Sequence, residues 1–393
     1  MHEALLRSLI QHWGFAADTE LLVQHVIESD EVSGHAPKYV FSVGPARRLL
    51  FLGNSGRSWP STQRVEACLS ALERSALAHP FGTGPALLVP AVRSLSGSMI
   101  VVHEEVRYYL TSHVPGCTLA NALASMGLAP ALRESCMLLL SAAAGAFHCM
   151  SRAAGNGCQP MDDAASFWFN LPKRCCKDLS DLAANRYDMC HWEGRWCAAH
   201  SDLARRAHDA LTSIMDDSSK VLCRLQALPA IWTHGDLQMK NVMLGAGTSP
   251  LLVCAAAGGS LHVRAMPPGC LAAIDVTHGT YSSRLYDLYF LLAGGSDDAA
   301  VVFEPCAVQN RFTAYFDAGG LHFSEEELSL LVEACVIKGL SVAQYYALWS
   351  SHSQAPALFE HAARSCLSIT AAKDEVRAAI VAAQASGGEA QLR

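Results

Sequence analysis

Residues 231–245 read IWTHGDLQMKNVMLG and place His234, Asp236, Lys240 and Asn241 between two short apolar runs. About thirty residues after that run, LAAIDV (271–276) ends a second apolar stretch on Asp275. Either fragment alone is an ordinary hydrogen-bonded turn or a strand-end acid. Together they give an acid after a strand, an amide five residues on, and a second acid on a neighbouring strand. Metal-assisted phosphoryl transfer needs that set: one carboxylate to take or orient an acceptor hydroxyl, and an amide oxygen plus a second carboxylate to hold Mg²⁺ against phosphates. Hard oxygen ligands suit Mg²⁺, which keeps several waters and bridges phosphates.

The chain around these residues is globular in composition. Of 393 residues, 51% are hydrophobic and 17% charged, with 28 Gly and 16 Pro. That length exceeds one ordinary core and predicts two lobes or a large insertion. A net charge of -7 provides no clustered basic face, so nucleic-acid binding is not expected. Fifteen cysteines, with no C-x-x-C pair, fit reduced buried thiols in a cytoplasmic protein. The cluster Cys175, Cys176, Cys190, His191, Cys197 and His200 has no familiar zinc spacing, and helix packing is the expectation there. MHEALLRSLIQHWGF (1–15) spaces Leu5, Leu6, Leu9, Ile10 and Trp13 as an amphipathic helix and lacks the pattern of a secretory signal. No run reaches about 18 apolar residues, so no membrane span is expected.

Three runs rich in Val, Leu, Phe and Tyr, ELLVQHVIES, KYVFSV and GPARRLLFLG, predict an antiparallel meander. Helical spacing in STQRVEACLSALERSAL and two or three further strands up to Pro115-Gly116 complete a mostly β unit over 1–115. From 116 to 370 the pattern is helical, with a helical insert at about 161–215 and two strand-like pieces, NVMLGAG and CLAAIDVTHG. Residues 371–393 are expected to form a C-terminal tail, with ASGGEAQLR frayed.

At HGDLQMKN and IDVTHG the chain resembles the aminoglycoside phosphotransferase and choline kinase superfamily. That superfamily's catalytic loop reads His-Gly-Asp-Leu-His-x-x-Asn, and its metal segment reads Ile-Asp-Trp or Ile-Asp-Phe. The resemblance covers roughly residues 5–350 and implies an α+β, two-lobe protein-kinase-like fold. A small antiparallel β lobe would bind the nucleotide, and a large, mainly helical lobe would hold the substrate. It implies ATP and Mg²⁺ as cofactors, with a small hydroxylated molecule as acceptor: an aminoglycoside-like antibiotic, an amino alcohol, a hydroxy amino acid or a sugar. It implies Asp236 as catalytic base, Asn241 and Asp275 as Mg²⁺ ligands, and His234 as a shaper of the loop. Lys240 is the candidate for the charge of the transferring phosphate. Asp287, in RLYDLYFLLAG, would steady the catalytic loop. YLTSHVPGCTL resembles the linker between lobes, so backbone at Thr111, Ser112 and Val114 would meet adenine. Glu66 stands where a helix carboxylate meets a nucleotide-binding lysine. AGAFHCM resembles a helix carrying a Leu-His pair, here Phe147-His148, with His148 expected to pack. A monomer or homodimer is expected.

Two departures bear on nucleotide binding. The superfamily's third strand reads Val-Leu-Lys or Val-Leu-Arg, whereas RRLLFLG has only apolar residues where the base should fall. Kinases of the homoserine kinase type manage with an uncharged residue there; otherwise Arg47, Arg48, Arg57 or Arg64 supplies the cation, or the chain is a pseudokinase that binds nucleotide or a partner without turnover. The loop SDEVSGHAPKY has one glycine, Gly34, and no G-x-G-x-x-G, which with the missing D-F-G and A-P-E argues against a protein kinase. Backbone amides at Ser33 to His35 would cap phosphates, and Lys38 and His35 are expected as solvated loop residues. In the insert, Trp168, Trp192 and Trp196 stand with Asp162, Asp163, Asp188 and Glu193. Such a set is able to cage an amine or, for Phe167, Trp168 and Phe169, to pack the insert down. Lys173, Arg174, Arg186 and Arg195 are available for a carboxylate.

Overall fold

The computed structural model describes residues 2–27, 37–45, 47–55, 62–78, 86–89, 91–126, 130–155, 167–186, 196–216, 219–245, 270–275, 278–294, 304–319, 321–348 and 354–391. The three predicted β runs form an antiparallel meander of Leu21–Ile27 (β1), Lys38–Val43 (β2) and Arg48–Ser55 (β3). β3 pairs onward with Val106–Ser112 (β7), which also pairs with Ala91–Val92 (β5) and Val101–His103 (β6). Side chains alternate across this sheet, so it has two faces of different use. Tyr39, Phe41, Leu50, Leu52, Tyr108 and Leu110 form one core with Leu6, Leu9 and Ile10 of helix α1 (His2–Ile10). The spacing of those three residues is the amphipathic pattern read at the N-terminus. Trp13 closes this core and donates its indole N–H to the Val92 carbonyl at 2.9 Å. Phe51 and Tyr109, on the opposite face, join the larger core with Val65 and Leu69 of α2 (Thr62–Ala78).

The larger core is helical. Leu119–Met126 (α3), Pro130–Gly155 (α4), Phe167–Ala183 (α5), Ala198–Asp216 (α6) and Ser219–Ala227 (α7) precede the loop that opened the sequence reading. Tyr289–Leu292 (α8), Pro305–Gly319 (α9), Glu325–Leu348 (α10), Ala355–Ala371 (α11) and Lys373–Gln391 (α12) follow it. α4 and α9 cross at two glycines: a Cβ on Gly145 would lie 2.0 Å from the Tyr315 carbonyl oxygen, and one on Gly319 would lie 2.3 Å from that of Gly145. No larger residue permits this approach without moving a helix. α10 is long and apolar enough to cross a membrane by length and composition, and most of it is buried here.

Two small sheets frame the loop. Ala86–Leu88 (β4), Leu271–Ala273 (β11), Val242–Gly245 (β10) and Gly116–Thr118 (β8) pair in that order, with β4 parallel to β11. β4 therefore lies outside the sheet of β1–β3 and β5–β7, although it falls within the mostly β unit expected over 1–115, and adds to the strand before Asp275. Ala230–Thr233 (β9) and Thr280–Ser283 (β12) form an antiparallel ribbon that the sequence reading missed. The expected tail from 371 is corrected too. In α12, Val376, Ala379, Ile380 and Ala383 are buried, and the Gln384 side chain bonds both the N–H (2.9 Å) and the carbonyl (3.0 Å) of Phe323. Its apolar side chains, spaced three to four apart, supply the burial that holds it as a helix.

Candidate active site

The loop His234–Asn241 hangs between the two small sheets. β9 delivers His234, a 3-10 turn Met239–Asn241 follows, and β10 runs back beside β11. The Ile274 N–H donates to the Asn241 carbonyl at 2.9 Å. This bond sets the end of β11, and hence Asp275, next to the amide residue.

Asp287, buried in the 3-10 turn Arg284–Leu288, holds the loop from behind. Its carboxylate accepts the backbone N–H of His234 and of Gly235, both at 2.7 Å. His148 of α4 donates Nε2–H to it at 3.1 Å, and Tyr315 of α9 donates its hydroxyl to His148 Nδ1 at 2.9 Å. Burial lowers the His148 pKa against the opposing pull of Asp287, which matches a neutral ring with its proton on Nε2. Burial raises the Asp287 pKa, but His148, His234 and the loop N–H groups outweigh it and hold the acid ionised. The turn is itself pinned by Arg284, whose guanidinium bonds both carboxylate oxygens of Glu327 at 2.8 and 2.9 Å.

His234 is fully buried and bridges the two halves of the motif. Its Nε2–H donates to the Ile274 carbonyl at 2.9 Å, and Nδ1 accepts the Asp236 N–H at 3.4 Å. Asp236 is then set by its neighbours. Asn241 Nδ2 donates to the Asp236 carbonyl at 2.8 Å and to Oδ2 at 2.9 Å, while Gln238 donates to Oδ1 at 2.7 Å. Lys240 is exposed, with its ammonium 3.8 Å from Oδ2. Burial pushes the Asp236 pKa up, but Lys240, His278 and Lys338 outweigh it and keep the carboxyl below the usual range. Asp236 is accordingly a carboxylate with lone pairs left to accept a hydroxyl hydrogen bond.

Asp275 has φ +57°, in the left-handed region that costs a non-glycine residue about 1–2 kcal/mol. Lys38 Nζ lies 2.9 Å from its Oδ2, and the Tyr109 hydroxyl lies 3.4 Å from its Oδ1. Burial and the nearby Asp275 charge raise the Tyr109 pKa well above its ordinary value, so the phenol stays a donor.

No protein-family profile and no curated protein sequence matches the chain. Solved structures do. A microcompartment-associated aminopropanol kinase aligns over 94% of this chain and 98% of its own, at 14% identity and TM-score 0.55. Choline kinase from Cryptosporidium parvum Iowa II aligns over 94% and 96%, at 9% identity and TM-score 0.53. AMP-bound spectinomycin phosphotransferase aligns over 96% and 97%, at 12% identity and TM-score 0.50. The chain has the fold of these small-molecule kinases. At such identities the likeness is one of fold, and it is α+β as the motif resemblance implied.

Within this kinase-like fold the remaining expected residues are distributed unevenly. Thr111 is buried in β7 opposite Phe51, Ser112 is exposed at the strand end, and Val114 is half-buried in the segment leading to β8. Glu66 does not meet a lysine: its Oε1 accepts the Ser98 hydroxyl at 2.7 Å and the Met99 N–H at 3.1 Å, tying α2 to the turn before β6. Gly34, with Ser33 and His35, lies outside the described residues, as do Arg57, Trp192, Glu193, Arg195, Asp162, Asp163, Asp188, Cys190 and His191. The side chains of Arg48 and Arg64 are likewise outside the description, and Arg47 is exposed in the β2–β3 turn. Lys38 corrects the reading of a solvated loop residue, since it opens β2 and pairs with Asp275.

In the insert, Phe167 and Trp168 are buried edge-on against Tyr286, so they pack the insert onto the turn that carries Asp287. Cys175 bonds Gln344, Cys176 bonds Thr212 and Cys197 bonds His200; among the described residues no group of three metal-ligating side chains occurs and the cysteines are free thiols.

Sequence reasoning missed one further residue. Lys338 of α10 is buried, donates to the Gly235 carbonyl, and lies 4.6 Å from the centre of the Tyr286 ring. Its only sequence signal is a lysine inside an apolar helix.

Proposed function

We propose that the chain is an ATP- and Mg²⁺-dependent phosphotransferase that moves the γ-phosphate onto a hydroxyl of a small molecule. One observation carries the reading: Asn241 holds Asp236 through its amide N–H groups while the neighbouring strand end presents Asp275 in a strained backbone conformation. Such strain is retained where the surrounding structure over-determines it, and it clusters at ligand sites. The donor set fits Mg²⁺. Asn241 spends its Nδ2 on Asp236 and keeps an amide oxygen, Asp275 supplies a carboxylate, and one or two protein oxygens with phosphates and waters suffice for this ion. Bound there, Mg²⁺ would neutralise phosphate charge.

In this reading Asp236 accepts the hydrogen bond of the acceptor hydroxyl and aims its oxygen at the γ-phosphorus. The new O–P bond forms as the bond to the β-γ bridging oxygen breaks, ADP departs, and the hydroxyl proton passes to Asp236 and then to solvent. A carboxyl held below the usual range is a weak base, so orientation is its larger contribution. His234 and Asp287 position the loop, and Lys240 faces the transferring group. The nucleotide would lie between two lobes that divide near residue 115, with β4 crossing over and the larger lobe running on through α12. The structural neighbours act on aminopropanol, choline and spectinomycin by name, which supports a hydroxylated and amine-bearing acceptor.

The test is acceptor-dependent ADP release across amino alcohols, aminoglycosides, hydroxy amino acids and sugars, with wild type and Asp236→Asn. Turnover with at least one acceptor is expected, lost by about 10³-fold or more in the variant at unchanged ADP affinity. The bare β3 strand favours a second reading, a silent pseudokinase; Mg²⁺-independent nucleotide binding with no release on any acceptor would establish that one instead.

A further inference from the structure

β2, the neighbour of β3, carries a lysine beside Asp275. Tyr39 of β2 pairs with Leu52 of β3, and Gly53 of β3 pairs with Tyr109 of β7. Lys38 therefore lies level with Gly53, and the three residues form a row across the sheet on the face opposite the Tyr39–Leu52–Tyr108 core. Both ends of the row reach Asp275, Lys38 at 2.9 Å and Tyr109 at 3.4 Å. The middle position has no side chain to offer. A Cβ on Gly53 would sit 2.3 Å from the Tyr109 ring, so the glycine is what lets that ring lie across β3 toward Asp275. On the same face the β3 positions are Leu49, Phe51, Gly53 and Ser55, none of them basic.

We propose that Lys38 is the phosphate-binding cation of the nucleotide site, carried on β2 in place of β3, and that Asp275 holds its ammonium ready between ligand cycles. The inference rests on the phosphotransferase reading. The pair joins residues 237 apart in sequence, and each side chain is about one-fifth exposed, 22% and 21%, so it is neither a buried structural bridge nor a free surface contact. An ammonium is a compact charge with three donors and suits polyphosphate oxygens. While no cation sits at Asp275, Lys38 neutralises it. The carboxylate of Glu66, the expected partner of a β3 lysine, is bonded to Ser98 and Met99, as a relocated cation leaves it free to be.

Calorimetric titration with adenosine, AMP and ADP in the presence of Mg²⁺ tests this on wild type, Lys38→Met and Lys38→Arg, each checked for wild-type melting. ADP affinity is expected to fall at least about tenfold in Lys38→Met, the scale of one charge-assisted contact. Adenosine affinity should stay within about twofold, and Lys38→Arg should hold ADP within about threefold of wild type. Equal ADP affinity in folded Lys38→Met overturns the inference and leaves the phosphotransferase reading standing. An equal loss for adenosine overturns it as well, because that is the mark of a structural role. Should the wild type bind none of the three, both readings fall together.

Discussion

At the residue scale, the loop is built by backbone donors whose positions depend on one glycine. Gly235 has φ +78°, and a Cβ there would meet the His278 carbonyl oxygen at 2.0 Å. The same residue gives its N–H to Asp287 and its carbonyl to Lys338. Gly235→Ala is expected to cost about 1–3 kcal/mol of stability from backbone strain. Activity should fall by about 10²-fold or more, because Asp236 is displaced. Chemical denaturation and steady-state kinetics on a responsive acceptor check both, and unaltered turnover would remove the glycine from the argument. The pattern His-Gly-Asp was legible in sequence because its chemistry and spacing are local. Gln238, standing where the resemblance has histidine, donates to Asp236.

At the scale of elements, the site is a junction. The β9–β12 ribbon sets His234, β11 sets Asp275, and α10 reaches in with Lys338. Lys338→Met keeps the side-chain length but leaves the Gly235 carbonyl without its donor, at a cost of about 1–3 kcal/mol, so the variant is first checked for folding by its melting temperature. The Lys338 ammonium is among the charges that lower the Asp236 pKa. Removing it raises that pKa, and the acid limb of the kcat/KM profile should move to higher pH. An unmoved limb in a folded variant would mean that Lys338 acts on the backbone alone. The β9–β12 ribbon and Lys338 were not visible in sequence, because a lysine within an apolar helix gives no sign of what it faces. β4 misled for a related reason: its short apolar run reads as a strand but carries no mark of which sheet it joins.

Across the whole molecule, the chain Tyr315–His148–Asp287 links α9, α4 and the His234–Asn241 loop through buried hydrogen bonds. Both His148 and Asp287 have folded-state pKa values below their ordinary ones. In each case the unfolded chain takes up its proton first, so the contribution is complete above histidine's ordinary value of about 6.5 and erodes as pH falls. Melting temperature should therefore hold near pH 8 and decline below about pH 6.5, further through the carboxylate range. His148→Asn should melt lower at pH 8 and show a flatter upper part of that decline. A wild-type profile level from pH 8 to 5 would rule out this network as an acid-sensitive element.

By itself the sequence determined the secondary structure of the meander and the presence of the motif residues Asp236, Asn241 and Asp275. The meander follows from neighbours a few residues apart, through side-chain alternation and turn chemistry, and the motif from two local fragments read in their order along the chain. Tertiary structure alone decided that β4 crosses to β11, that α12 packs as a helix, that Glu66 serves Ser98 and Met99, and that Lys38 meets Asp275. Those outcomes depend on sheet register and on which faces are buried together. A lysine and an aspartate 237 residues apart acquire a shared chemistry only when folding closes that distance to 2.9 Å.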